Sequence, residues 1–465
     1  MKQYVLPKKL FKDKKAISLK NLKKKQPLQI GLTEPNATCF SKGEHIILDF
    51  GAEICGGIRI LTHAADNVPV RIRFGESITE CCAELGGETN ATNDHSLRDF
   101  TVRLQNYSDM TFGQTGFRFV RLDFDGEVKI KSVVAESHCL RKKAHYEYNG
   151  NDERIRQIYK AAKRTVDLCV SSGYVWDGVK RDRLVWIGDM HPEMLALTTL
   201  YGQMKELEIS LDFVRDQTPL PAWMNWYPTY SMWWIIIVAE YYERTGARAF
   251  TERQLPYLKG LIDQMNSCVY ENGDLDLPHY FVDWPTSGQP DEIIGSRAIN
   301  VMAVKRAIYL LNEFGESTSQ AEGLLAKLMK QPIVPVKSKQ VTALKYFATG
   351  ELTDEEKERL VAGGAQGMST FMSYYVLKAV ASFDKAKAVE MMKDYYGAML
   401  DKGATTFWED FDMAWVENSG RIDAFPKKGQ KDIHGDYGAY CYKGFRHSLC
   451  HGWSAGIIAF MKEEL

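Results

Sequence analysis

The sequence predicts an antiparallel β-sandwich, jelly-roll-like, followed by an (α/α)6 toroid. Over residues 40–140, short stretches of alternating apolar and polar residues are separated by glycines, which is typical of strands and turns. From about residue 150 the apolar residues recur with a helical period, and eleven or twelve helices follow with almost no strand signal. Six pairs of helices arranged as a double ring account for that number. We therefore predict a sandwich domain at 36–145 and a helical domain at 146–465.

The strand predictions depend on alternation, which is clearest in the run from Val70 to Phe74, where Val, Ile and Phe alternate with Arg. Short antiparallel strands at this spacing favour a sandwich or jelly roll. The predicted strands are His45–Phe50, Gly57–Leu61, Val68–Phe74, Asp99–Leu104, Phe117–Phe124 and Val128–Val134.

The first predicted helix follows the polar residues 151–153, which are suited to an N-cap, and continues through Val166. Gly246 and Gly315 lie where helix C-termini are expected. Further helices are predicted over 188–203, 205–216, 230–245, 252–269, 294–314, 318–331, 354–363, 370–381, 384–399 and 446–463.

Residues 1–35 are basic, with nine lysines between Lys8 and Lys25. An arm that binds nucleic acid is one interpretation, but the lysines lack interleaved aromatic residues. We favour a solvated, poorly ordered leader, or a segment that joins the sandwich. The whole chain carries 59 basic and 60 acidic residues, for a net charge of −1, so we predict no nucleic-acid partner.

The location of the protein is predicted from what the sequence lacks. No apolar run reaches the roughly 18 residues of a transmembrane helix, and no signal-peptide core is present at the N-terminus. The nine cysteines are scattered and form no CxxC pair, which is typical of free thiols in a reducing compartment. We predict a cytoplasmic protein, or a periplasmic or secreted one if a signal peptide has been removed, without a membrane partner. The sequence does not indicate an oligomeric state.

The strongest candidate site is the segment 176–189, which holds three acids, three bases and two tryptophans. If residues 182–189 are helical, Asp182, Trp186 and Asp189 fall on one face, where two carboxylates flank a tryptophan. A neighbouring cation holds one acid ionised while burial keeps another protonated, as acid–base catalysis on a sugar requires. The alternative is a surface network of ion pairs that caps a helix.

Four further clusters combine polar and aromatic side chains. Residues 405–412 place three acids among aromatics, where the alternative is acids at a helix N-terminus. Asp283 and Trp284 enter a loop, six aromatics lie between Trp223 and Trp234, and residues 446–453 combine Arg, two His and Trp. The 223–234 group alone is more typical of a core. The chain contains no P-loop, GxGxxG, HExxH or GxSxG motif and no metal-ligand spacing, so we predict neither a cofactor nor a metal.

These segments together resemble bacterial α-L-rhamnosidases, glycoside hydrolase family 78. Residues 177–183, followed by Trp186 and Gly188-Asp189, resemble the active-site signature of that family. Asp283-Trp284, the stretch 405–409 and the stretch 448–452 are similar to its later motifs, in the same order. Residues 49–51, 73–76 and 116–119 resemble its preceding β-sandwich. The resemblance covers about residues 45–460.

The resemblance implies an inverting exo-glycosidase that removes terminal α-L-rhamnose from a small glycoside or an oligosaccharide. Glu409 takes the place of the general base. Many members read Arg-Asp-Glu-Arg with the Glu as general acid, whereas this chain reads Arg181-Asp182-Arg183, so Asp182 takes the place of the acid. The resemblance assigns substrate binding to Asp177, Arg181, Trp186, Asp189, Asp283, Trp284 and His451.

Two alternatives stay open from the sequence. The shorter Asp at the acid position favours a weakly active or non-catalytic carbohydrate-binding relative, which binds L-rhamnose without turnover. The same toroid also suits a hydrolase or lyase for another sugar; a lyase needs a Tyr or His base near a substrate carboxylate.

Overall fold

The computed structural model describes residues 3–12, 15–17, 19–84, 98–440 and 442–465. Its first part is an antiparallel β-domain, as predicted. The strands are β1 (Gln3–Val5), β2 (Lys9–Lys12), β3 (Lys15–Ile17), β4 (Thr38–Phe40), β5 (His45–Ala65), β6 (Val68–Gly75), β7 (Asp99–Leu104), β8 (Ser108–Phe124) and β9 (Val128–Ser137).

Strand β5 organises the sandwich because it changes partners half-way along its length. Its first half pairs with β2 on one edge and β8 on the other, and its second half pairs with β8 and β9. The register shifts between Asp49 and Ile54 and again after Gly56, and such bulges bend a strand. The sequence predicted two strands here because the bend falls at glycines. Inward-facing residues of β5, β6, β8 and β9 form one apolar core.

The basic leader is part of this sheet, which corrects the expectation of a poorly ordered segment. Strand β2 pairs with residues 47–49 of β5, and β1 pairs with residues 135–137 of β9. Leu10 and Leu22 lie in the sandwich core with 1% exposure. The lysines that the structure describes there therefore lie at outward positions of a segment whose apolar residues Leu10 and Leu22 are buried.

The second part of the chain is helical, apart from a short hairpin of β10 (Val170–Ser171) and β11 (Tyr174–Val175). Its helices are α1 (Glu153–Cys169), α2 (Met190–Tyr201), α3 (Lys205–Gln217), α4 (Pro228–Thr245), α5 (Arg248–Glu252), α6 (Leu255–Ser267), α7 (Pro290–Glu313), α8 (Ser319–Leu328), α9 (Lys339–Thr349), α10 (Asp354–Val361), α11 (Ser373–Ala381), α12 (Lys385–Asp401) and α13 (Ile457–Glu464). Within the described ranges no helix is long and apolar enough to cross a membrane.

The helices form the predicted toroid. Helices α2, α4, α7, α9, α11 and α13 each pack on the next, and α13 packs on α2, which closes an inner ring. Inner helices are buried on most sides; eleven of the twelve residues of α2 are buried. Outer helices such as α1 and α3 keep an apolar face inward and a charged face outward. A helix buried all round needs apolar residues at nearly every position, which is why α4 reads as a continuous apolar run.

Three helix predictions differ from the structure. Helix α9 was not predicted, because prolines at 332 and 335 just before it indicate a loop. The predicted helix 252–269 corresponds to α6, which begins only at Leu255, and the short helix α5 before it has no counterpart among the predictions. The predicted helix 446–463 begins only with a 3₁₀ turn at 452–456, followed by α13.

The sandwich packs on the toroid through buried polar contacts. Arg118 of β8 pairs with Asp49 at 2.9 Å and donates to the carbonyl of Gly403 at 3.2 Å. The hydroxyl of Thr115 donates to the carbonyl of Lys180 at 3.2 Å, and Arg183 donates to the carbonyl of Gln114 at 2.9 Å. Strand β8 therefore holds the segment in which the sequence placed the site.

Candidate active site

The candidate residues meet in one cavity of about 130 Å³. One water molecule needs roughly 10–15 Å³ of cavity volume, so this cavity is large enough for a small ligand. The lining residues are Asp177, Arg181, Asp182, Trp186, Asp189, Tyr227, Tyr230, Phe281, Trp284, Glu409, Tyr442, Arg446, His451 and Trp453.

Chain connectivity explains why residues so far apart in sequence converge. The lining residues lie mostly in the connections α1–α2, α3–α4, α6–α7 and α12–α13, each of which leads from an outer helix to an inner one. In a double ring of antiparallel pairs these connections all emerge at the same end. The cavity therefore lies at the end of the toroid where the sandwich packs.

The segment 177–189 is a braced loop, so the expectation of a helix over 182–189 is wrong. Asp182 and Arg183 both have φ of 53°, in the left-handed region. The carboxylate of Asp177 accepts from the backbone N–H of Leu184 at 2.8 Å, which closes the loop on itself. Asp182, Trp186 and Asp189 nevertheless all reach the cavity. Long-range contacts place them there, instead of a shared helix face.

Arg181 joins the two acids that the resemblance assigns to catalysis. Its Nη2 lies 2.5 Å from Oε1 of Glu409, and its Nη1 lies 2.9 Å from Oδ2 of Asp182. The guanidinium is held from behind, since Nε donates to the carbonyl of Arg446 at 3.0 Å and the ring of Tyr442 lies 5.0 Å away. A planar guanidinium fixed in this way sets the relative position of the two carboxylates.

His451 lies at the centre of the polar wall. Its Nε2 is 3.4 Å from Glu409, 3.7 Å from Asp177 and 3.9 Å from Asp189. Burial lowers the pKa of His451 well below its usual value, and the charge of Arg181 acts in the same direction. A neutral imidazole thus lies among three carboxyl groups and can hydrogen-bond a ligand as well as them.

Burial also controls the carboxyl groups. It raises the pKa of Asp177 and of Asp189 well above the usual range, and neighbouring carboxylates act in the same direction. Burial raises the pKa of Glu409 to about 7, although Arg181 opposes the shift. At neutral pH the wall therefore offers both protonated carboxyls, which donate hydrogen bonds, and carboxylates, which accept them. Such a wall suits a ligand with several hydroxyl groups.

The opposite wall is aromatic. Trp186 and Tyr230 meet edge to face at 6.2 Å, and Phe281 and Trp284 meet at 5.3 Å. The hydroxyl of Tyr230 donates to Asp189 at 3.0 Å, which connects the two walls. A ring with one apolar face and hydroxyls at its edge is complementary to this cavity.

A comparison with known protein families finds a match within the helical domain. Residues 146–322 match the family model described as bacterial alpha-L-rhamnosidase 6 hairpin glycosidase domain. The matched residues cover the first part of the helical domain, from before α1 to within α8. This match agrees with the resemblance of the sequence to glycoside hydrolase family 78 over about two fifths of the chain. No curated protein matches the sequence.

Solved structures share the fold of both domains. A rhamnosidase from Klebsiella oxytoca with rhamnose bound is 17% identical, with a TM-score of 0.79, over 100% of this chain and 96% of that one. A family 78 rhamnosidase of Bacillus sp. GL1 is 19% identical, with a TM-score of 0.74, over 97% of this chain and 49% of that one. The α-L-rhamnosidase of Streptomyces avermitilis complexed with L-rhamnose has a TM-score of 0.67 at 15% identity, over 99% of this chain and 43% of that one. This chain thus spans about half the length of the latter two.

Every residue predicted for the site lies in the helical domain, and all but Asp283 line the main cavity. The carboxylate of Asp283 accepts from Thr286, with Oδ1 2.7 Å from the hydroxyl, and from Ser369 at 2.8 Å. It caps the 3₁₀ turn that begins at Trp284 and lines only a small adjoining cavity. These contacts favour a role for Asp283 in positioning Trp284. They do not favour the predicted contact between Asp283 and the sugar.

Sequence reasoning missed Tyr442 and misjudged part of the 223–234 cluster. Tyr442 lines the cavity and accepts from Nε1 of Trp284 at 2.6 Å. The signal that could have indicated it is the run of aromatics spaced by two or three residues in 437–442. Within the 223–234 cluster, Trp233 and Trp234 are core, as expected, whereas Tyr227 and Tyr230 line the cavity.

A buried network of charged side chains lies where the helical domain meets the sandwich. The ammonium of Lys180 lies 2.9 Å from Glu80 and 3.5 Å from Glu76, and it donates to the carbonyl of His447 at 2.8 Å. Burial opposes ionisation of Glu80, but Arg98 and Lys180 lower its pKa to about 2. Glu76 accepts from the backbone N–H of Leu449 at 2.7 Å, so a sandwich residue holds the loop that carries His451.

The same network contains three potential metal ligands, Glu76, Glu80 and His434, whose ligand atoms lie within 4.8 Å of one another. Lys180 already supplies positive charge there. Both ring nitrogens of His434 have partners, the hydroxyl of Ser77 at 2.8 Å and the carbonyl of His447 at 2.9 Å. These contacts favour an ion-pair network over a metal site.

Proposed function

We propose that this protein is an inverting exo-glycosidase that hydrolyses terminal α-L-rhamnosides, with Asp182 as general acid and Glu409 as general base. The observation that carries the proposal is the bridge from Arg181 to both carboxylates inside a cavity with one polar and one aromatic wall. The family model and the rhamnose bound to the Klebsiella oxytoca protein support rhamnose as the sugar.

The spacing of the two acids is compatible with inversion. Contacts of 2.5 and 2.9 Å to one guanidinium, which is about 2.3 Å wide between its terminal nitrogens, keep the two oxygens within about 8 Å of each other. Inverting enzymes separate their carboxyl groups by roughly 6.5–9.5 Å so that a water fits beside the sugar. The upper bound admits this separation and also the roughly 5–5.5 Å of retaining enzymes, so the anomer that forms first decides between the two mechanisms.

In the proposed reaction Asp182 gives its proton to the glycosidic oxygen as the bond between that oxygen and the anomeric carbon breaks. A water attacks the anomeric carbon from the opposite face and loses a proton to Glu409. The products are free rhamnose of inverted configuration and the alcohol of the leaving group. A pKa of about 7 suits Glu409 to this role, because a general base works best when its pKa is near the working pH.

The positions of the remaining residues support recognition of a single terminal sugar. The polar wall meets hydroxyls through Asp177, Asp189 and His451, and the aromatic wall meets the apolar face of the ring. The small volume of the cavity, about 130 Å³, supports exo action, since an internal sugar needs an exit on both sides.

The test is release of 4-nitrophenol from 4-nitrophenyl α-L-rhamnoside, with the first anomer of rhamnose identified by NMR. We expect the β-anomer to form first, and we expect Asp182→Asn and Glu409→Gln each to abolish turnover without unfolding the protein. Glu417→Gln, at an exposed carboxylate of the same connection, is the matched control and should retain full activity. Full activity of both site variants, or first formation of the α-anomer, contradicts the mechanism; binding of rhamnose without turnover indicates the non-catalytic alternative.

A further inference from the structure

Two aromatic side chains project into solvent from strained backbone next to the cavity. Trp226 is 77% exposed with φ of 68°, and Tyr440 is 45% exposed with φ of 58°. Left-handed backbone is unfavourable for bulky residues, and such strain tends to persist where function needs it. Neither ring is required by the apolar core.

Each of these rings contacts a tryptophan that lines the cavity. Trp226 meets Trp186 at 6.3 Å between ring centroids, and Tyr440 stacks on Trp284 at 6.1 Å with 24° between the planes. The two cavity tryptophans are in turn connected through ring contacts of Tyr230, at 6.2 Å from Trp186, and Phe281, at 6.0 Å from Tyr230 and 5.3 Å from Trp284. One continuous aromatic arc therefore follows the cavity wall, and its two ends lie outside the cavity.

The backbone before Trp226 is fixed by hydrogen bonds. Asn225, with φ of 49°, accepts from the N–H of Ile187 at 3.0 Å and donates to the carbonyl of Val185 at 3.4 Å. These bonds tie the 3₁₀ turn of Trp226 to the loop that carries Trp186. The ring is thus held beside the cavity instead of moving freely in solvent.

The exposure of the acids shows where the next chemical group must lie. The side chain of Asp182 is 18% exposed, against 2% for Glu409, 3% for Asp177 and 6% for Asp189. The proposed acid is therefore the carboxylate nearest to solvent. The leaving group is attached to the oxygen that this acid protonates, so it emerges on the solvent side, and both ends of the aromatic arc are exposed to solvent.

We infer that Trp226 and Tyr440 form a binding site for the leaving group, and that this group is a flat ring with an apolar face. An aryl ring and a pyranose share that chemistry, because both stack on aromatic side chains. The inference rests on the proposed function, since it assigns the exit side from the role of Asp182.

The experiment compares substrates with and without such a ring. kcat/KM is measured for 4-nitrophenyl α-L-rhamnoside, for an α-L-rhamnosyl-glucose disaccharide and for methyl α-L-rhamnoside, in the wild type, Trp226→Ala and Tyr440→Ala. We expect each variant to lower kcat/KM for at least one ring-bearing substrate about 5-fold to 10-fold relative to the methyl glycoside. Inhibition by free L-rhamnose should change much less than 5-fold. Tyr107→Ala, an exposed aromatic with φ of 52° in the sandwich, is the matched control.

Each outcome decides one of the two proposals. A loss with the aryl substrate alone identifies an aromatic leaving group, and a loss with the disaccharide alone identifies a sugar; both support the inference. An active wild type whose variants lose activity equally on all three substrates, or lose none, overturns the inference and leaves the hydrolase intact. A wild type that neither hydrolyses nor binds any rhamnoside overturns the proposed function and the inference with it.

Discussion

Nη2 of Arg181 lies 2.5 Å from Oε1 of Glu409, deep in the cavity. Both side chains are at most 5% exposed, and an ion pair that is shielded from water is stronger than one at the surface. Because the same guanidinium also contacts Asp182, it fixes the geometry of both proposed catalytic acids.

Arg181→Lys retains the charge but loses the planar fork, so the acids lose their common support. We expect kcat to fall about 10²-fold, as is typical when one fixed electrostatic contact is removed from an active site. Arg154→Lys is the matched control, because Arg154 contacts Asp401 at 2.9 Å on the surface. The Arg154→Lys enzyme should have the same kcat as the wild type. An Arg181→Lys enzyme as fast as the wild type would show that the fork has no role in positioning.

The acidic limb of the pH profile reports Glu409. A general base must be ionised, and burial raises the pKa of Glu409 to about 7. We expect kcat/KM to fall about tenfold per pH unit below pH 7, so that activity at pH 5 is about a hundredth of the plateau. Steady-state rates between pH 4.5 and 9 measure this limb. A plateau that extends down to pH 5 would rule out Glu409 as the base.

Removal of the positive charge of Arg181 should shift the acidic limb of the pH profile. Arg181 lowers the pKa of Glu409, so Arg181→Met should raise it and shift the acidic limb toward higher pH. The shift is measurable even where the rate is low, because it depends on the shape of the profile. A limb that stays in place, or moves to lower pH, contradicts the assignment.

The buried network should contribute to stability. Lys180→Met leaves Glu76 and Glu80 without a shared cation, and loss of one partner of a buried ion pair costs about 3–5 kcal/mol. Urea denaturation followed by circular dichroism measures the change in the free energy of unfolding. The double variant Lys180→Met, Glu76→Gln should be less destabilised than the two single changes added together.

A surface lysine provides the contrast. Lys387 pairs with Glu390 at 2.8 Å, with side-chain exposures of 29% and 59%, so Lys387→Met should destabilise the protein much less than Lys180→Met. Equal effects of the two lysine variants would mean that the network at Lys180 is not a structural ion pair.

Gly116 tests the link from the sandwich to the catalytic loop. A Cβ at this position would lie 2.6 Å from a methyl of Val179 and 2.9 Å from the backbone nitrogen of Lys180, so Gly116→Ala displaces the loop before Arg181 and Asp182. We expect kcat to fall at least tenfold, with KM and the far-UV spectrum nearly unchanged. Gly323→Ala in α8, with ordinary helical backbone and nothing within 4 Å of the new Cβ, should leave kcat unchanged.

Much of this architecture could be predicted from the sequence because periodicity is a local signal. The change from alternation to a helical period gave the order of the two domains, and clusters at 176–189, 405–412 and 446–453 indicated three parts of one cavity. The conformation of the catalytic loop could not be predicted. Its i, i+4, i+7 spacing suits a helix, whereas contacts to Gln114 and Thr115, more than sixty residues away, impose a left-handed turn instead.

That turn also gives a physical reason for the short acid. Asp and Asn adopt left-handed backbone more readily than most residues, because their short polar side chains bond locally. Asp182 has φ of 53°, so an Asp is well suited to this position of the loop. Periodicity cannot reveal this requirement, since it depends on the sandwich strand that braces the loop.

The support that β8 and Glu76 provide to the loops around the cavity has a consequence for attempts to shorten the protein. A fragment of 146–465 would expose Lys180 and the carbonyls it caps to water and would release the loop that carries Asp182. Such a fragment could keep its helices and still be inert. Anyone who grafts this toroid onto another scaffold has to transplant the supporting strand as well.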